Sequence, residues 1–211
     1  MQKDILVNFK ARYFQSNEPS EHIKEVYFVC HGHGMLAYYF LKKFEVLFDE
    51  ETLIVAPEGL SRYYLDGFSG RVGASWMTKE ERLTDIHNYV TYLDTVYHEI
   101  ISHCPNARIS LLGFSQGSAT ASRWLMHGKN HFDRLILWAG IFPPDLPFEL
   151  SEHKLRKTEV RFAYGKNDPY LSEQTMKELR DIAAKLGVKL HEMIFDGAHE
   201  IDRDTLLKLK Y

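Results

Sequence analysis

Four short, largely apolar runs recur along the chain, at residues 26–30, 53–56, 109–114 and 135–139, and two further strands are read over 160–164 and 190–195. A strand that is apolar on both faces is buried on both, the condition of a central strand in a parallel sheet covered by helices. The segments between most of these runs have helical character. Residues 36–48 are apolar, aromatic and of helix length. Leu83, Ile86, Val90, Leu93, Tyr97 and Ile100 recur at helical spacing. A helix over 116–127 follows the third run after one sharp turn. Met176, Leu179, Ala183 and Leu186 mark another, with Ser172 as its N-cap. A short helix around 206–209 closes the chain. Buried strands alternating with helices predict an α/β fold, a mostly parallel central sheet with helices on both faces.

Three segments depart from that rhythm. Ile5, Val7, Phe9, Ala11 and Tyr13 alternate with largely polar neighbours, which predicts a half-buried N-terminal strand at an antiparallel edge of the sheet. Residues 58–76 are the longest irregular stretch, and a structureless loop of that length in a compact domain is usually either functional or not truly structureless. It leads into Thr78-Lys79-Glu80-Glu81, which reads as a capping box for the helix that follows. Residues 141–150 hold Pro143, Pro144 and Pro147 and are expected to form a loop too short for a large lid.

A chain of 211 residues with 45% hydrophobic and 26% charged residues is expected to form one domain over 1–211. It can bury a core without disulfides or metals. The net charge of −3 provides no basic field for a phosphate backbone, so nucleic acid is not an expected partner. The two cysteines make no disulfide framework. Cys30 lies in an apolar run, whereas Cys104 ends a helix and is expected to be exposed. No apolar run approaches the ~18 residues of a membrane span, and residues 206–211 are too short for an anchor. The N-terminal segment lacks the apolar core of a signal peptide. The expectation is a cytoplasmic protein, monomeric or homodimeric.

Gly113-Phe114-Ser115-Gln116-Gly117 is a G-x-S-x-G string placed where a buried strand ends and a helix begins. That setting holds a serine hydroxyl out above a sheet on a strained turn, with small neighbours letting the backbone pass. The bland alternative is a plain strand-to-helix turn. A serine hydroxyl is a weak nucleophile and needs a base. Of eleven histidines, His199 lies just past the last strand, at the carboxyl edge where sites of open α/β sheets gather. His87, His98 and His103 fall along a helix, and His191 stands at the wrong end of a strand. The imidazole needs an acid to hold its tautomer. Asp168 follows the strand ending at residue 164 and lies at the same edge, although Asp168-Pro169 is also a common turn sequence. Ser115, Asp168 and His199 are therefore the candidate catalytic residues.

An oxyanion hole needs backbone N–H donors. The loop His31-Gly32-His33-Gly34 can supply one from His33, opposite the N–H of Gln116. His31 and His33 also resemble part of a metal site, but catalytic zinc needs a third protein ligand. No H-x-H-x-D-H or H-E-x-x-H string occurs, so no metal is expected. His31 is instead a candidate to brace the loop.

The GFSQG string and the strand with its His31-Gly32 loop resemble the carboxylesterase/phospholipase group of α/β-hydrolases, which includes acyl-protein thioesterases and small bacterial esterases. The order Ser115, Asp168, His199 is also that of α/β-hydrolases. The resemblance runs from Val26 to about Ile201. It implies the α/β-hydrolase fold and a serine hydrolase acting on esters or thioesters, with neither metal nor organic cofactor. Met35 stands where the group commonly has an acidic residue, and Ser118 where it often has a second glycine. Trp76 and Met77 occupy the place of a Trp-Phe pair that lines the acyl pocket, which makes them candidate substrate-binding residues; they can equally staple the helix that follows. Tyr63, Tyr64, Phe68 and Arg71 are candidates for the same wall, and Phe142 and Phe148 for a second.

The expected function is hydrolysis of small or short-chain carboxylic esters through an acyl-enzyme. A thioesterase or lysophospholipase is the alternative among enzymes. A binding protein on a hydrolase fold is the alternative outside them.

Overall fold

The computed structural model describes residue 1, residues 3–155 and residues 157–210. Its elements in chain order begin with β1 (Tyr13–Gln15), β2 (Glu25–Cys30), α1 (Ala37–Leu41) and β3 (Thr52–Pro57). Next come the hairpin β4 (Ser61–Asp66) and β5 (Ser69–Ser75), then α2 (Arg82–Ile101), β6 (Arg108–Phe114) and α3 (Gln116–His127). The rest are β7 (Arg134–Trp138), α4 (Ser151–Leu155), β8 (Glu159–Gly165), α5 (Glu173–Lys185), β9 (Leu190–Phe195) and α6 (Arg203–Leu207). Tyr211 of the expected C-terminal segment lies outside the described residues.

Seven strands form one sheet in the order β1-β3-β2-β6-β7-β8-β9. All neighbours run parallel except β1, which pairs antiparallel with β3. The apolar runs are explained by two cores. Val26, Phe28, Leu53, Val55, Leu111, Leu135 and Leu137 point to one face, where α2, α3 and α5 pack. Tyr27, Val29, Ile54, Ala56, Leu112, Ile136 and Trp138 point to the other, beneath α1 and α6. Period-two geometry sends successive side chains to opposite faces, so a strand between two helical layers must be apolar throughout. This is the α/β-hydrolase architecture, and no large lid stands over it among the described residues.

Four local expectations are corrected. The N-terminal strand begins only at Tyr13. Ile5 and Val7 are 85% and 74% exposed, because the preceding arm has no strand beside it to complete its pairing. The segment over 36–48 is not one α-helix but α1 continued by a 3-10 turn over Lys42–Leu47, with Phe40 and Phe44 packed edge to face. The stretch 58–76 is not structureless. It forms the β4–β5 hairpin, rooted where buried Glu58 accepts hydrogen bonds from Arg12 Nε (2.7 Å) and the Ala37 N–H (3.2 Å). The capping box does not form. Glu81 sits in the left-handed region at φ 48° ahead of α2, and the Thr78 N–H donates to Asp85 Oδ2 instead.

Ser172 does cap α5, accepting from the Thr175 N–H at 3.2 Å. Cys104, expected at the surface, is buried. Burial also pushes the Cys30 thiol up. Among the described residues no helix is long and apolar enough to cross a membrane.

Candidate active site

Ser115 stands between β6 and α3 at φ 54° and ψ −117°. A non-glycine residue rarely adopts this backbone, and such strain persists only where its surroundings enforce it. Here the Ser115 N–H donates to the Trp138 carbonyl of β7 at 2.9 Å, and its own carbonyl accepts the Ser118 N–H at 2.9 Å. Gly117 explains the second glycine of the string. A Cβ there would lie 2.1 Å from the Cys30 carbonyl oxygen, so only glycine lets α3 start this close to β2.

The loop after β8 places Asp168, whose side chain is fully buried. Its Oδ1 accepts the Tyr170 N–H at 2.9 Å, and its Oδ2 lies 2.8 Å from His199 Nδ1. Asp168 thus closes a turn with one carboxylate oxygen and contacts His199 with the other. The arrangement gives His199 an Nδ1–H donated to a carboxylate and leaves Nε2 free of that bond. Phe114 and Tyr170 flank the imidazole at ring-centroid distances of 4.9 and 4.7 Å. Ser115 and His199 line one cavity of about 500 Å³, together with Gly32, His33, Met35, Lys43, Phe114, Tyr170, Glu200 and Ile201.

His33 borders that cavity. Gln116 is the first residue of α3, so its N–H has no carbonyl one turn back to bond with. His31 does brace the loop. It is fully buried; its Nδ1–H donates to the Gly32 carbonyl at 2.8 Å and its Nε2 accepts the Gly59 N–H at 2.9 Å. Burial lowers its pKa from 6.5 to about 4. His33 likewise has both ring nitrogens engaged, by Ser75 Oγ at 3.3 Å and Tyr63 Oη at 2.6 Å. Both imidazoles are therefore committed to hydrogen bonds within the protein. Among the described residues no group of three or more His, Cys, Asp or Glu side chains is arranged to hold a metal.

Trp76 and Met77 do not line this cavity. The Trp76 indole is buried behind His31, its Nε1–H donating to the His31 carbonyl at 2.8 Å and its ring meeting Tyr89 edge to face. The Met77 carbonyl accepts from Gln116 Nε2 at 3.1 Å, and its sulfur faces Arg123. Phe142 is buried in the core and is not a second wall.

Sequence reasoning missed Met35, Lys43, Tyr170, Glu200 and Ile201 as cavity residues. Tyr170, Glu200 and Ile201 could have been found, since each lies within two positions of Asp168 or His199. Lys43 arrives from the 3-10 turn after α1, and no local pattern announces it.

A family model described as Phospholipase/Carboxylesterase matches residues 11–211. No curated protein sequence matches the chain. Several solved structures share the fold. Bacillus cereus carboxylesterase superposes with a TM-score of 0.68 at 18% identity, covering 96% of this chain and 93% of that one. Acyl-protein thioesterase 2 of Zea mays gives 0.71 at 15% identity, with 95% and 96% covered. A phospholipase/carboxylesterase from Dyadobacter fermentans gives 0.68 at 18% identity, with 98% and 97% covered.

Proposed function

The chain belongs to the phospholipase/carboxylesterase family of ester-hydrolysing enzymes, and from that premise we propose that it cleaves small or short-chain carboxylic esters with a Ser115-His199-Asp168 triad. The observation that carries the reading is the 2.8 Å contact from His199 Nδ1 to the buried Asp168 carboxylate, in the wall of the cavity that Ser115 also lines.

In the proposed reaction Ser115 Oγ attacks the ester carbonyl carbon while His199 Nε2 takes its proton. Asp168 fixes the imidazole tautomer and stabilises the imidazolium. The carbonyl oxygen becomes an oxyanion facing the N–H groups of His33 and Gln116. The positive end of α3 adds to the field there. Collapse of the intermediate breaks the bond to the leaving alcohol, which takes the proton from His199. Water then attacks the acyl-enzyme, giving its proton to His199. The acid departs and Ser115 recovers the proton.

The apolar residues Met35, Phe114 and Ile201 in the cavity wall offer an acyl group a dry surface beside Ser115. Thioester or lysophospholipid substrates are the second reading, in keeping with the fold shared with a plant acyl-protein thioesterase. Leu65, partly exposed on the hairpin and adjacent to Gly34, would extend an apolar path beyond the cavity.

Hydrolysis of p-nitrophenyl esters from acetyl to lauroyl, with Ser115→Ala as the blank, tests the proposal. Ser115→Ala is expected to fold and to lose turnover. A maximum at long chains would favour the second reading, and substantial turnover in pure Ser115→Ala would remove the triad.

A further inference from the structure

We propose that Ser75 is a positioning residue for the oxyanion hole, its hydroxyl setting the distance between the two backbone donors. The inference rests on the proposed roles of the His33 and Gln116 N–H groups.

Ser75 ends β5 and is 1% exposed. Its Oγ lies 3.3 Å from His33 Nδ1, 3.1 Å from Gln116 Nε2 and 2.9 Å from the Met77 carbonyl oxygen. One assignment of protons satisfies every atom. In it Tyr63 O–H donates to His33 Nε2, 2.6 Å away, and His33 Nδ1 carries its proton and donates to Ser75. The Gln116 amide donates to Ser75 and to the Met77 carbonyl, while its Oε1 accepts the Trp76 N–H at 3.2 Å. The Ser75 hydroxyl then accepts twice and donates once. It joins the side chains of the two residues whose backbone N–H groups face the reacting oxygen.

His33 needs such a restraint. It stands between Gly32 and Gly34, and Gly34 is at φ 75°. Glycines on both sides leave the His33 peptide free to rotate unless something else holds it. The hairpin holds the loop at several points. The Gly34 N–H donates to the Ala74 carbonyl at 2.9 Å, and the Ala74 N–H to the Met35 carbonyl at 3.1 Å. The backbones meet so closely that a Cβ at Gly73 would lie 2.5 Å from the Gly34 carbonyl oxygen. These bonds fix the loop behind His33, and Ser75 and Tyr63 fix His33 itself.

Ser75→Ala removes the acceptor used by both side chains, in a place without solvent to replace it. Steady-state kinetics on a p-nitrophenyl ester, normalised to active sites titrated with a fluorophosphonate, should show kcat lower by about 10- to 100-fold. KM should stay within about two-fold, because the oxyanion forms only in the transition state. Affinity for a trifluoromethyl ketone, whose hemiketal oxygen occupies the hole, should fall by the same factor as kcat/KM. Tyr63→Phe, at a partly exposed site, should show the same signature more weakly. Unchanged kcat per titrated site in both variants would overturn the proposal, as would a change confined to KM. Ser115→Ala run alongside separates the two readings: turnover there would refute the triad rather than the role of Ser75.

Discussion

Acidification should destabilise this protein through His31, by an amount that follows from its burial. The imidazole is fully buried beneath the site, and it serves as acceptor for the Gly59 N–H at 2.9 Å. A proton on Nε2 would meet that N–H head on. Burial is the largest cause of its lowered pKa; the neighbouring His33 adds to the effect, while the bond to the Gly32 carbonyl and the charge of Glu58 oppose it. The unfolded chain takes up the proton near pH 6.5, the folded one near 4. The stability held by neutral His31 is therefore complete above the unfolded value and is lost as pH falls from 6.5 toward about 4. Linkage between those values gives a loss of about 2 kcal/mol between pH 8 and pH 5, approaching about 3 kcal/mol at lower pH. The other histidines contribute their own dependence, so the comparison must isolate His31. His31→Gln keeps an acceptor for Gly59 and cannot titrate. Urea unfolding of both proteins at pH 8 and pH 5 should show the wild type losing about 2 kcal/mol more than the variant. Equal losses would refute the argument, whatever the absolute stability of His31→Gln.

Two further outcomes test the packing. Gly117→Ala puts a methyl 2.1 Å from the Cys30 carbonyl oxygen and 2.8 Å from that of His31. Both neighbours are backbone, so the elbow must shift; a cost of about 1–3 kcal/mol with loss of turnover is expected, and a variant matching wild type in urea midpoint and rate would contradict this contact. Ile5→Ser and Val7→Ser should each change stability by no more than about 0.5 kcal/mol, since both side chains face solvent. A larger loss in thermal unfolding would restore the half-buried strand that the alternation suggested.

That alternation shows where sequence reasoning stops. The central strands were legible because a strand buried on both faces has to be apolar at every position, and that demand is local. The sharp turn at Ser115 was legible for a similar reason: Gly113 and Gly117, two positions to either side, leave room for the backbone to pass, and that requirement is local too. Asp168 and His199 could be placed at one edge because each follows a recognisable strand. Ile5, Val7 and Phe9 carry an equally clean pattern, but a strand also needs a neighbour to bond with, and β3 ends at Pro57 opposite Tyr13. The same limit hid the hairpin within residues 58–76 and turned Trp76 from an expected pocket residue into a support for the His31 carbonyl. Spacing along the chain determined which residues could reach the catalytic edge. Which of them face the cavity, and which hold others in place behind it, depended on contacts such as Ser75 to His33 and Gln116, between residues some forty positions apart. Only the packing of the hairpin against the sheet creates those distances.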